Sequence, residues 1–172
     1  MDQDVVVRRA SDADLPALAR VVQGSRAAAF VGHPMQEKIA GLSIERYIEI
    51  YRERWAEPNR EAPFLWLLEL RGHAAGMAEV GESREQDLDP TGLFDLTSFY
   101  LLPEFWGRGL AQRLFEIVLE DLRGLGATGM LLWVRAPNER ARHFYERAGM
   151  STDGVWKGEA PESGLLRYRM SL

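Results

Sequence analysis

The chain has 172 residues, a hydrophobic fraction of 46% and a formal net charge of -5, a size at which one domain buries roughly 70% of the surface its unfolded chain would expose. Its 21 lysines and arginines, against 26 aspartates and glutamates, gather into no basic stripe, so nucleic acid is not its expected partner. The lack of cysteine excludes disulfides, thiolate metal ligands and cysteine nucleophiles. Met1-Asp2-Gln3-Asp4 does not open a secretory leader and no apolar run is long enough to cross a bilayer, so a single cytoplasmic domain over residues 1–172 with no membrane partner is the expectation.

Val5-Val6-Val7 is a β-branched strand signal, and Ser11 with Asp14 three residues later marks a capped helix start. Leu15, Leu18, Ala19 and Val22 then repeat at helical spacing, and Gly24 is expected to close that helix before a second region over Ser25 to Phe30 and Gly32-His33-Pro34. Ile39, Leu42, Tyr47, Ile50, Tyr51 and Trp55 indicate one or two amphipathic helices ending before Pro58. Phe64 to Leu70 and Ala74 to Val80 flank Arg71-Gly72-His73 as a hairpin.

After a polar loop over Glu82 to Thr91, the run from Leu93 to Leu102 is too apolar to leave one face in water, which makes it a central strand. Pro103 stops it, and Leu110, Leu114, Ile117, Val118 and Leu122 trace a helix up to Gly124. Met130 to Val134 is a further buried strand, Pro137-Asn138 opens a helix that Gly149 ends, and Val155-Trp156 and Leu165 to Met170 are the last strands. Strand, helices, hairpin, two strand-to-helix units and a terminal hairpin amount to an α/β fold with a sheet of mixed direction.

The turn Phe105-Trp106-Gly107-Arg108-Gly109-Leu110-Ala111-Gln112 lies where the central strand hands over to the long helix. The first helical turn leaves amides without partners and carries the positive end of the macrodipole, and glycines let the backbone approach an anion closely. A tight turn that needs glycine for geometry alone has the same letters. A third small residue at dinucleotide-fingerprint spacing and a Gly-Lys-Ser/Thr are both missing, so the Rossmann and P-loop readings fail.

Pro103-Glu104-Phe105-Trp106-Gly107-Arg108-Gly109-Leu110-Ala111 resembles the acetyl-CoA loop of GNAT acetyltransferases, Gln/Arg-x-x-Gly-x-Gly/Ala, and Asn138 to Met150 resembles that family's next motif, Asn-x-x-Ala-x-x-x-Tyr-x-x-x-Gly-Phe. The resemblance covers Leu93 to Met150. It implies a GNAT fold: a mixed, mostly antiparallel sheet flanked by helices, with a parallel central strand pair splayed around the cofactor. By the same resemblance, the backbone of Phe99 and Leu101 pairs with the pantetheine arm, and the amides of Gly107, Arg108, Gly109, Leu110, Ala111 and Gln112 cradle the pyrophosphate, Arg108 adding charge. Asn138 bonds the pantetheine side, and Tyr145 stands near the thioester sulfur as general acid. Two positions depart from the pattern: Trp106 stands in place of Gln or Arg, and Met150 in place of Phe. Trp133 stands where the ribosomal-protein alanine acetyltransferases place a catalytic glutamate.

Acetyl transfer to an amine needs a neutral nucleophile, a stabilised oxyanion and a proton for the departing thiolate. Asp95, at even spacing from Phe99 and Leu101 along the central strand, is the first candidate for the base, with Glu79 second; Asp95 reads equally as a carboxylate satisfied by its neighbours. His33, His73 and His143 are too scattered for a metal site. Trp55, Trp66, Trp133 and Trp156 fit either an acceptor cleft or the core. Glu45, Glu49, Glu53 and Glu57 read as a solvated stripe, with a polyamine groove as the bolder alternative. The expected activity is acetyl-CoA-dependent acetylation of a small-molecule primary amine, without metal. A peptide, protein N-terminus or lysine is the alternative acceptor, a non-catalytic acyl-CoA sensor the alternative class, and a homodimer the assembly that the resemblance implies. The acceptor site is expected from Ser25 to Asn59 and the terminal hairpin.

Overall fold

The computed structural model of the chain describes residues 4–29, 42–55, 64–158 and 164–172. The elements run β1 (Val5–Arg9), α1 (Leu15–Ala29), α2 (Ile44–Trp55), β2 (Phe64–Leu70), β3 (His73–Glu82), β4 (Leu93–Leu101), α3 (Leu110–Gly124), β5 (Gly129–Arg135), α4 (Glu139–Arg147), β6 (Ser151–Lys157) and β7 (Leu165–Ser171), with short 3-10 turns at Asp12–Asp14 and Pro103–Phe105. The strands form a seven-stranded sheet in the order β1-β2-β3-β4-β5-β7-β6. In it β4 and β5 run parallel, while β1–β2, β5–β7 and β6–β7 are antiparallel. This is the mixed, helix-flanked α/β architecture that the order of sequence signals implies.

The chain packs as two compact units, Met1–Glu79 with Ser98–Val118 and Val80–Thr97 with Leu119–Leu172. The first is built on the apolar stripes of α1 and α2. Leu15, Leu18, Ala19, Val21, Val22, Tyr47 and Tyr51 bury against Leu65, Leu67 and Met77 of the hairpin β2–β3. The hairpin closes through Arg71 and Gly72 at φ 52° and 74°, the paired positive angles of a two-residue turn matched to strand twist. Ahead of α1, Ser11 and Asp14 make the expected capping box, and Arg8 grips both oxygens of Asp14 at 2.8 Å.

Helix α1 does not stop at Gly24; it runs on to Ala29, so Ser25–Ala29 is its last stretch and not a new region. The reason is packing. A β-carbon at Gly24 would stand 2.6 Å from Leu102 Cδ2, so this glycine lets the helix lie close to the residue after β4 and does not end it. Phe30, Gly32-His33-Pro34, Ile39, Glu57, Pro58 and Asn59 lie outside the described residues, as does the side chain of Trp55.

In the second unit, β5 pairs with β7 along its whole length, from Gly129↔Ser171 to Arg135↔Leu165. The last strand therefore lies between β5 and β6, and the terminal hairpin joins the sheet through its second arm. Helix α4 is tied to β7 by a polar chain: the Tyr168 hydroxyl donates to Glu146 Oε1 at 2.7 Å and accepts from Arg142 Nε at 3.2 Å. The parallel register of β4 with β5 runs over Leu93, Phe94 and Asp95 against Gly129, Met130 and Leu131.

Candidate cofactor and catalytic site

In the first unit, Pro103 stops β4 and starts a single 3-10 turn, after which the chain passes Trp106 and enters α3 at Leu110. Gly107 and Gly109 both take positive φ, 73° and 76°, and among the described residues nothing beyond the chain neighbours lies within 4 Å of where a β-carbon would stand at either. Neither glycine is demanded by crowding; both are demanded by backbone conformation. The Gly109 carbonyl accepts from the Arg113 amide at 3.1 Å, which makes Gly109 the residue that caps the helix. A glycine cap offers no side-chain oxygen, so the amides of Leu110, Ala111 and Gln112 keep the orphan donors of a helix start. Leu110 is buried and anchors the turn, whereas Gly107, Arg108, Gly109 and Gln112 are exposed. A turn of exposed residues at the positive end of a fifteen-residue helix, with open space on the glycine side, fits a diphosphate.

The side chains around this turn contribute less than its backbone. Gln112 Nε2 donates to Glu116 Oε1 at 2.9 Å, and the Arg108 guanidinium lies 5.8 Å from the Phe105 ring centroid. Trp106 has a role that sequence reasoning missed: its indole N–H donates to the Leu101 carbonyl at 2.8 Å. The tryptophan at the place of the usual Gln or Arg thus pins the loop back on the end of β4. The Leu101 carbonyl keeps one lone-pair direction for another donor. Phe99 stands edge-on to Phe115 of α3, centroids 5.9 Å apart at 90°, so its side chain is fixed by packing while its backbone remains part of β4. Beneath them Gly76 of β3 passes so close that a β-carbon would meet Leu101 Cδ1 at 2.5 Å and the Tyr100 carbonyl at 2.9 Å.

The first unit also holds Glu79, almost fully buried. It accepts from Arg54 Nη1 at 3.0 and 3.1 Å through its two oxygens, and from the Ser98 hydroxyl at 2.9 Å. The Arg46 guanidinium bridges Glu49 and Glu53 at 3.0 and 3.2 Å among exposed groups, so within the described residues the glutamate stripe of α2 is a solvated face.

The second unit contains Asn138, Tyr145 and Asp95. Asn138 Oδ1 accepts the Ala141 amide at 3.1 Å and caps α4, which leaves its Nδ2 donors for a ligand. Tyr145 is buried on α4, edge-to-face with Phe144 at 5.3 Å. Asp95 shares a sheet face with its parallel partner Leu131, and its Oδ1 is buried without a hydrogen-bond partner among the described residues. Burial pushes its carboxyl above the usual carboxylate range and the Glu85 charge adds to that; the Ser83 hydroxyl, the Lys157 charge and the Arg84 amide pull the other way. Glu85 accepts from Trp133 Nε1 at 3.0 Å and Lys157 Nζ at 2.6 Å. A loop carboxylate therefore stands at Trp133, a residue from which the sequence offered no carboxylate.

Among the described residues no group of His, Asp and Glu is arranged to hold a metal ion, and His73 and His143 are exposed. Trp66 is core, Trp133 is half-buried and Trp156 is 39% exposed.

The sequence from residue 30 to residue 150 matches the acetyltransferase (GNAT) family model. The chain belongs to the GNAT family. Among its GNAT relatives, a mycothiol acetyltransferase of Propionibacterium freudenreichii subsp. shermanii is 29% identical over 134 residues, which is 78% of this chain but 40% of that protein's length. The uncharacterised N-acetyltransferase YjgM of Escherichia coli is 25% identical over 147 residues, 86% of this chain and 82% of that one. In fold, the chain is similar to the PaiA N-acetyltransferase of Thermoplasma acidophilum, solved in complex with coenzyme A. The TM-score is 0.77 at 16% identity, over 99% of this chain and 100% of that one. The GNAT match takes in the glycine turn, Asn138 and Tyr145. It omits β1, α1, β6 and β7.

Proposed function

We propose that this GNAT domain, spanning residues 1–172, transfers the acetyl group of acetyl-CoA directly to the primary amine of a small molecule. The observation that supports this most is the glycine turn, where exposed positive-φ glycines and a cap without a side-chain acceptor leave the first amides of α3 uncapped. Bound acetyl-CoA would supply an acetyl thioester, which the neutral amine attacks and from which a thiolate departs. The amides of Gly107, Arg108, Gly109, Leu110, Ala111 and Gln112 hold the diphosphate, and Trp106 fixes their position by its bond to Leu101. The β4 backbone at Phe99 and Leu101 and the Asn138 Nδ2 donors hold the pantetheine amides.

Asp95 is proposed as the group that takes the amine's proton: a carboxyl raised by burial is a stronger base than an exposed one. Tyr145 is proposed to give its phenol proton to the departing thiolate. Its ring is buried and packs edge-to-face on Phe144. Glu79, gripped by Arg54 and Ser98, is better suited to organise its surroundings than to accept a proton.

The test is thiol release from acetyl-CoA with a panel of amino acids, polyamines, aminoglycosides and peptides bearing free N-termini or lysines. Release with small amines in preference to peptides is the result expected. Tight coenzyme A binding with no release by any member would assign the protein to acyl-CoA sensing instead.

A further inference from the structure

Three side-chain atoms of the first unit are buried without a hydrogen-bond partner among the described residues: Ser25 Oγ, Arg26 Nε and the Tyr47 hydroxyl. Ser25 and Tyr47 are 5% and 3% exposed. Buried polar atoms are nearly always paired, and each one left single is destabilising. A serine within a helix ordinarily returns its hydroxyl to the carbonyl four residues back; the Ser25 hydroxyl does not. Three such atoms on two packed helices therefore indicate a partner that the described residues do not provide.

The three lie in one neighbourhood. Ser25 and Arg26 are adjacent on α1 just past Gly24, whose contact with Leu102 brings the helix onto the end of β4. Tyr47 and Tyr51 are one turn apart on α2 and pack in the same core cluster, with Tyr100 of β4 against it. Tyr100 feels Arg26, Tyr47, Glu79 and Arg54 together, and Tyr51 feels Glu79, Arg54 and Arg26. Burial raises both phenols, so they stay protonated and can donate at any physiological pH.

The chemistry of these atoms selects the ligand. Arg26 Nε donates only, and it belongs to a permanent cation, so its partner must be an acceptor and is best an anion. The two hydroxyls can donate beside it. Glu79, which holds Arg54 and Ser98, accepts from neither hydroxyl. From these observations we infer that Arg26, Ser25 and Tyr47 form an acceptor subsite for a carboxylate, so that the amine acetylated is that of an amino acid or an amino-acid-like molecule. The inference rests on the acetyl-transfer reading only for the fate of the amine, not for the carboxylate site.

The experiment pairs binding with turnover. L-Amino acids are titrated calorimetrically into the full chain beside their carboxamides, and the same pairs are run in the thiol-release assay. At least one amino acid is expected to bind tenfold or more tightly than its carboxamide. Arg26→Gln and, separately, Tyr47→Phe should each collapse that ratio toward one; the second removes a single hydroxyl and guards against a folding failure in the first. A carboxamide that binds as well as its acid, or a ratio unmoved by both variants, overturns the subsite, as does the absence of binding by every amino acid. A carboxylate preference in binding without thiol release would uphold the subsite and sink the acetyl-transfer reading. Thiol release indifferent to the carboxylate would do the reverse.

Discussion

At the residue scale the mechanism depends on two proton positions. Tyr145 is buried on α4, and Tyr145→Phe removes one oxygen and no packing. Its expected effect is a fall in kcat of about 10²-fold or more with little change in the KM for acetyl-CoA, read by steady-state kinetics; an unchanged kcat would remove the phenol from the chemistry. Asp95 is tested by pH. Burial holds its folded pKa above the ordinary value of about 3.9, so the fold favours the neutral carboxyl. Its contribution to stability is full below the unfolded pKa and is lost as pH rises through the folded one. Asp95→Asn keeps the neutral shape. At pH 7 it should therefore melt no lower than the parent and lose about tenfold or more in kcat, and the difference in melting temperature should vanish below about pH 4. A lower Tm at pH 7 with full activity would contradict both roles.

At the scale of elements, the two strand-to-helix units were legible because their signals are local. Pro103, Gly107, Gly109 and the helical apolar pattern from Leu110 locate the end of β4 and the start of α3; Asn138 and Gly149 bracket α4. What was not legible depends on contacts between distant segments. Gly24 looks like a helix terminator and is a contact with Leu102; β7 lies between β5 and β6 because pairing, not chain order, decides neighbours; Glu85 reaches Trp133 from a loop. Trp106 looked like the loss of a phosphate-binding side chain and is a hydrogen bond to Leu101. Gly76 is a further case, because only the structure shows that β3 passes against the backbone of Tyr100. Gly76→Ala forces the backbone there to shift at a cost of about 1–3 kcal/mol. It is expected to lower the Tm and weaken coenzyme A binding together, measured by thermal melting and calorimetry. A variant with unaltered Tm would show that the strands adjust freely.

For the molecule as a whole, the family match begins at residue 30 and ends at residue 150, yet the sheet is completed by strands beyond both limits, β1, β6 and β7. Both edge strands, β1 and β6, thus lie outside the matched stretch, which carries the glycine turn, Asn138 and Tyr145. The chain spans 40% of the length of the mycothiol acetyltransferase that it matches, so acceptor chemistry must be argued from its own residues, as with Arg26 and Tyr47. Among the described residues no helix is long and apolar enough to cross a membrane.

Central to all of this is a grip on diphosphate by amides around Gly107 and Gly109. Calorimetric titration of coenzyme A into the wild-type protein and into Gly109→Ala tests it most directly, since a β-carbon at φ 76° strains the backbone by about 1–2 kcal/mol where it should meet phosphate oxygens. Saturable binding by the wild type, weakened about tenfold or more in the variant while its melt remains cooperative, is the result predicted; no heat with the wild type, or equal affinity in the two proteins, would contradict it.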